Sequence, residues 1–208
     1  MIVLWKFRTN FANAYDLYNK ASKFQKSAGA EWINLTVVTG AENGSFQMAA
    51  GFKNVQAYGK MDDMWNASNG ETDMMMEPNF QNFEILETHN LTKLVGNIDD
   101  DKKDGPETVF ANFLFSCSDR QAVIDSFEPD WQAYKAGGCT GIDIHGTNIG
   151  DAPGNYFFVA RFGSMEKLGI CFDKMSENTE YWNSISEYHS KINISKAFYA
   201  RVLKEEAF

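Results

Sequence analysis

The sequence predicts an α+β protein made of two tandem β-α-β-β-α-β units whose antiparallel sheets pack against each other within one chain. Three observations predict it. The chain has 208 residues, 44% of them hydrophobic, enough to fill two small cores. A polar run, Gly96 to Glu107, closes with Gly105-Pro106 and can bury almost nothing, so it divides the chain into two halves. The halves also match one another in order: Ala28-Gly29 with Ala136-Gly137, then Gly44, Ala50, Phe52, Gly59 and Asp63 with Gly154, Ala160, Phe162, Gly169 and Asp173. The units are therefore assigned to residues 1–95 and 108–208, joined by a linker at 96–107.

In the first unit, Ile2 to Arg8 is rich in β-branched and aromatic residues and reads as a strand. From Asn13, the residues Ala14, Leu17, Tyr18, Ala21, Phe24 and Ala28 recur at helical spacing, and Gly29 supplies the stop. Trp32 to Val38 is a second strand, followed by a turn at Gly40 to Gly44. Phe46, Met48, Ala50 and Phe52 then alternate as in a strand buried on one face. A second helix is expected from Asn54 to Trp65 and a last strand from Phe83 to Val95, with a Met-rich stretch between them.

The second unit repeats the order: strand Val109 to Phe115, helix Asp119 to Ala136, strands Gly141 to His145 and Tyr156 to Phe162, helix Met165 to Met175, strand Ile194 to Leu203. Its first helix has Ser118 and Gln121 at capping-box spacing and a face of Val123, Phe127, Trp131 and Tyr134. Pro129 should kink it. A longer turn is expected at Asp151-Ala152-Pro153-Gly154. This split βαβ order is the ferredoxin-like motif, with both helices on one face of a four-stranded sheet. The uncovered faces of the two sheets then bury each other.

Charge and composition exclude several functions. With 19 basic against 28 acidic residues the net charge is −9, which opposes binding to phosphate backbones and anionic lipid. No stretch approaches the ~20 apolar residues of a membrane helix, and the first residues lack the pattern of a signal peptide. A soluble, cytoplasmic protein with neither nucleic-acid nor membrane partner is expected. Cys117, Cys139 and Cys171 are odd in number and widely spaced, which fits reduced buried thiols better than disulfides or zinc. No metal site and no cofactor are expected. Phosphate-binding glycine loops and nucleophile elbows are absent from the sequence.

Element order, with a strand ending Phe-x-Ser/Asn before a helix at Phe52-Lys53-Asn54 and Phe162-Gly163-Ser164, resembles the dimeric α+β-barrel superfamily. That superfamily includes stress-responsive A/B-barrel, antibiotic-biosynthesis monooxygenase and NIPSNAP-like proteins. The resemblance implies units joined sheet to sheet and ligand pockets between a unit's sheet and its helices. Haem-binding members would use a histidine near the second helix, for which His189, rather than His89, is the modest candidate.

Asp143 and His145 alternate with Ile142 and Ile144 and so project from one face of a strand. They form the candidate catalytic pair, His145 as base and Asp143 as its orienter. The blander reading makes the strand end wet, with His145 capping a turn before Gly146. Arg161 is a candidate for binding a ligand carboxylate or pairing with Asp143. Trp65, Tyr181 and Trp182, with Trp5 and Trp32, could line an aromatic pocket or simply fill core. Met61, Met64 and Met74 to Met76 could form a pliable pocket or contact. The first unit has Asn34, Thr36, Gln47 and Gly51 where the second has its charged candidates, so one pocket is expected, with the first unit as its structural partner.

The leading expectation is a protein that binds a small apolar or aromatic molecule between sheet and helices. The alternatives are a cofactor-independent monooxygenase-like enzyme and a non-catalytic stress or assembly protein. The two units pair intramolecularly, and a homodimer is compatible with the sequence.

Overall fold

The computed structural model describes residues 1–40, 44–68, 83–98, 105–149 and 154–208. The methionines Met74 to Met76, the middle of the linker and most of the two turns expected near 41 and 151 lie outside these residues. In the first unit the elements are β1 (Ile2–Arg8), α1 (Phe11–Ser27), β2 (Trp32–Gly40), β3 (Ser45–Gly51), α2 (Val55–Ala67) and β4 (Glu84–Ile98). The second has β5 (Val109–Cys117), α3 (Arg120–Asp125), α4 (Phe127–Ala136), β6 (Gly141–Ile149), β7 (Asn155–Phe162), α5 (Met165–Glu177), α6 (Thr179–His189) and β8 (Ile192–Ala207).

All strand pairs are antiparallel, and the strands close a barrel in the order β1-β3-β2-β8-β5-β7-β6-β4. Each unit contributes a 4-1-3-2 sheet, as the split βαβ motif requires. The sheets meet face to face and are also hydrogen-bonded at both edges, through β2 with β8 and β4 with β6. Those two seams need long strands. β8 runs to Ala207, so that Trp32 faces Ala207, and β4 runs to Ile98, so that Ile98 faces Gly141. Closure leaves every described strand with two neighbours and no free sheet edge.

Helices start where the local chemistry allows. Asn10 accepts from the Asn13 amide at 2.9 Å to cap α1, and Asn54 accepts from Ala57 at 2.9 Å to cap α2. Ser164 caps α5 in the same way, accepting from Lys167 at 3.3 Å. The Phe-x-Asn/Ser signature is thus a strand end followed by an N-cap. Gly29, at φ 87°, ends α1 in a conformation that β-carbon sterics disfavour.

The second unit corrects three expectations. Asp119, not Ser118, caps the first helix, accepting from Ala122 at 3.0 Å. The helix expected from Asp119 to Ala136 is two helices, broken at Ser126. Pro129 sits in the first turn of α4, where its missing N–H is harmless, so it starts a helix rather than bending one. α6 was not foreseen, because its apolar face is reduced to buried Tyr181 and Ile185 in an otherwise polar segment.

Three buried clusters fill the molecule. One joins the first unit's sheet to its helices through Phe7, Tyr18, Ile33 and Met61. A second does the same for the second unit through Val123, Trp131, Phe158, Phe162 and Ile185. The third lies inside the barrel, where Leu4, Val38, Leu91, Leu114, Phe157 and Phe198 meet without any helix residue.

Candidate binding cavity inside the barrel

Strands of both units expose alternate residues to the barrel interior, as the period of two requires. There they line a cavity of about 790 Å³. Its wall takes Ile2 and Leu4 from β1, Trp32, Asn34 and Thr36 from β2, and Gln47, Ala49 and Gly51 from β3. Leu91 and Lys93 come from β4, Phe110 and Asn112 from β5, Asp143 and His145 from β6, and Phe157, Val159 and Arg161 from β7. The cavity therefore lies between the two sheets. Between each sheet and its helices, where the resemblance implied a pocket, the described residues form the two outer cores.

Asp143, His145 and Arg161 converge in this cavity, as their strand faces implied. β6 continues through Gly146 to Ile149, so His145 is not at a wet strand end: it is 2% exposed. Burial first, then the nearby Lys93 and N-terminal charges, pushes its pKa down to about 3. His145 is accordingly a neutral imidazole across the physiological range. Asp143 does not orient it, because its carboxylate is held instead by Lys93 at 2.6 Å. Burial raises the Asp143 pKa, and the Lys93 partner offsets part of that rise. Gly96 makes the pair reachable, since a Cβ there would collide with the Asp143 carboxylate. On β3, Gly51 likewise leaves space for the Trp32 indole at the cavity mouth.

The first unit contributes an uncharged wall. Thr36 donates to the Gln47 carbonyl at 3.2 Å, while Asn34 Oδ1 and Gln47 Oε1 are buried without a hydrogen-bond partner among the described residues. His145 Nδ1 is in the same condition on the opposite side. Asn34, Thr36 and Gln47 thus line the cavity beside the second unit's residues, where the sequence suggested a pocket of the second unit with the first as its structural partner. Their signal in the sequence was alternation of polar residues on otherwise apolar strands, with nothing to say that the face looked inward.

Beyond Gln47 and Leu91 the interior is closed by an ionic cluster. Glu87 accepts from Lys6 at 3.3 Å, lies 3.2 Å from His89 Nε2 and pairs with Lys196. The Lys6 ammonium, almost wholly buried, also sits 3.8 Å from the centre of the Phe198 ring.

The aromatic candidates lie elsewhere. Trp65 packs edge-on to Phe24 at 5.2 Å in the first unit's outer layer. Tyr181 donates to buried Asp130 at 2.8 Å between α6 and α4. Trp182, on the same helix, donates to the Met175 carbonyl at 2.7 Å and is 40% exposed. Trp5 belongs to the outer core of the first unit, and only Trp32 of the five candidates reaches the cavity. These residues were grouped by type, but strand and helix faces send them to different layers. His189 ends α6 with its ring against Trp182 and Tyr188, and Trp131, Tyr134, Phe158 and Phe162 fill the layer between that unit's sheet and helices. This packing does not fit a haem beside His189. Among the described residues no three His, Cys, Asp or Glu side chains gather as metal ligands. No described helix is long and apolar enough to cross a membrane.

No family model matches the chain, and no curated protein does. Solved structures do match along nearly its whole length. An anthrone oxidase-like protein superposes with a TM-score of 0.64 at 11% identity, covering 99% of this chain and 92% of that one. A protein from Fusobacterium nucleatum described as a putative monooxygenase gives 0.62 at 9% identity, covering 99% and 93%. A haem-binding protein from Thermus thermophilus gives 0.60 at 7% identity, covering 98% and 90%. At such identities the likeness is one of fold. The chain has the fold of the dimeric α+β-barrel superfamily, with both ferredoxin-like units supplied by one polypeptide.

Proposed function

We propose that this protein binds a small, partly apolar molecule inside the barrel. The observation that carries the reading is the interior cavity itself. It has the volume of a small-molecule site and apolar walls of Leu4, Leu91, Phe157 and Val159, with the polar residues Asn34, Thr36, Gln47 and His145 among its lining.

His145 serves this reading as a hydrogen-bonding group. A neutral imidazole whose conjugate acid forms only near pH 3 is a poor proton acceptor from a phenol or quinol. Catalysis by His145 and Asp143 is the second reading, favoured by their convergence with Arg161 in one cavity and by the monooxygenase and oxidase descriptions of the structural neighbours. Native mass spectrometry of the purified protein tests the first. A retained adduct that is lost on Ala49→Phe, which fills the cavity, is expected; a bare chain after exposure to a metabolite extract would overturn it. Oxygen consumption with a phenolic or quinol substrate, abolished by His145→Ala, would establish the second reading instead.

A further inference from the structure

We propose that the mouth of the cavity receives a zwitterionic head group, its carboxylate toward β4, β6 and β7 and its ammonium toward β2 and β8, with an apolar body entering the barrel. This inference rests on the binding reading above and specifies its ligand class. Strand registers bring the charged lining residues to one rim, where Trp32 is level with Gly51 and Ala207, and Arg161 with Gly141 and Phe110. Strand order divides that rim into two arcs, β1-β4-β6-β7 and β3-β2-β8-β5. On the first stand Lys93, Asp143 and Arg161, with the Met1 ammonium held by the Phe52 carbonyl at 2.9 Å. On the second stand Glu31, just before β2, and Glu205 on β8. Among the charged lining residues, cations therefore exceed carboxylates on one arc, and the other arc carries carboxylates only.

Matching positions of the two units carry this difference. β2 pairs Trp32 with Gly51 on β3, whereas β6 pairs Gly141 with Arg161 on β7, so the large side chain is an indole in one unit and a guanidinium in the other. The positive field also reaches inward. After burial, the Lys93 and N-terminal charges are what depress the His145 pKa, and Lys93 and Arg161 pull back the burial-driven rise at Asp143. Below the rim the lining is polar but uncharged, as at Asn112 and the neutral His145, or apolar, as at Leu4, Leu91 and Phe157. A charged group is matched only at the rim. There a lone anion gains nothing from Glu31 and Glu205, and a lone cation gains nothing from Lys93 and Arg161. A zwitterion is favoured by both arcs, and Trp32 adds an aromatic face beside the carboxylates for its ammonium.

Isothermal titration of the full chain with three probes that share an indole body tests the head group. At neutral pH L-tryptophan is a zwitterion, indole-3-propionate an anion and tryptamine a cation. L-Tryptophan should bind at least about fivefold more tightly than either of the others. Glu205→Gln should weaken L-tryptophan and tryptamine at least about threefold and leave indole-3-propionate as tight or tighter. Arg161→Gln should weaken L-tryptophan and indole-3-propionate by a similar factor. The comparison of probes uses the unaltered chain, so it stands whether or not a variant folds. Binding of either singly charged probe as tightly as L-tryptophan would overturn the zwitterion class, as would unchanged L-tryptophan affinity in either folded variant. Absence of binding by all three would overturn it too. The broader binding reading falls separately, on the mass-spectrometric result.

Discussion

The outer and inner faces of the barrel wall are built from the same strands and do opposite things. On β7, Phe158, Ala160 and Phe162 face outward into a closed core shared with the helices, while Phe157, Val159 and Arg161 face a cavity. The outer face is largely apolar; Asp130 there is engaged by Tyr181, while Tyr18 Oη and Gln25 Oε1 on α1 are buried without a hydrogen-bond partner among the described residues. The inner face is apolar at its waist and polar at both ends, at the cavity and at the Lys6–Glu87 cluster. Closed core and cavity wall are thereby separated by a single residue step along each strand. The difference teaches that, here, polar side chains on the inward alternation of a strand mark the cavity wall.

The largest test of that division is a pair of truncations on one strand. Phe162→Ala, in the outer core, should cost about 3–5 kcal/mol of unfolding free energy in urea. Phe157→Ala, whose lost volume opens onto the existing cavity, should cost at least about 1 kcal/mol less. Equal losses would erase the distinction between the faces.

Next in size is a pH effect confined to the outer layer. Burial raises the Asp130 pKa to about 6, above its unfolded value, so the folded state binds the proton more tightly. This contribution is fully present below the unfolded pKa and is lost as pH rises through about 6. The shift corresponds to roughly 3 kcal/mol across that window. Asp130→Asn should remove this part of the slope of stability against pH, measured by urea unfolding at a series of pH values; an unchanged slope would place the titration elsewhere.

A smaller effect separates the two units. Asn54 and Ser164 cap equivalent helices, at 2.9 Å and 3.3 Å. Alanine at either should cost about 1 kcal/mol, the longer Ser164 contact less than the Asn54 one, as read from thermal unfolding. The smallest concerns the cavity mouth. Gly96→Ala should force the Asp143 carboxylate away from Lys93, and the Asp143 pKa should rise further in carboxyl-resolved NMR titration. The stability change should stay under about 1 kcal/mol, because Lys93 is half exposed.

How much was legible follows from the range of each signal. Cavity residues Asp143, His145 and Arg161 were read correctly as sharing a face with Ile142, Ile144 and Ala160 turned away, since strand alternation is local. Their partners were not. Lys93 reaches Asp143 across a seam between units that are far apart in sequence, and Gly96 permits it without any side chain of its own. Trp65, Tyr181 and Trp182 were misgrouped because aromatic composition does not reveal which layer a helix face meets.

The sequence by itself determined the order of the strands and the two faces of each. Periodicity, caps and turn glycines act within a few residues, so they survive translation into a linear code. Tertiary structure alone decided that β2 joins β8 and β4 joins β6, and that the enclosed interior stays open at one end. Closure depends on matching strand lengths and register across the whole chain, and a cavity depends on how far opposing side chains fall short of one another. Neither quantity belongs to any single segment.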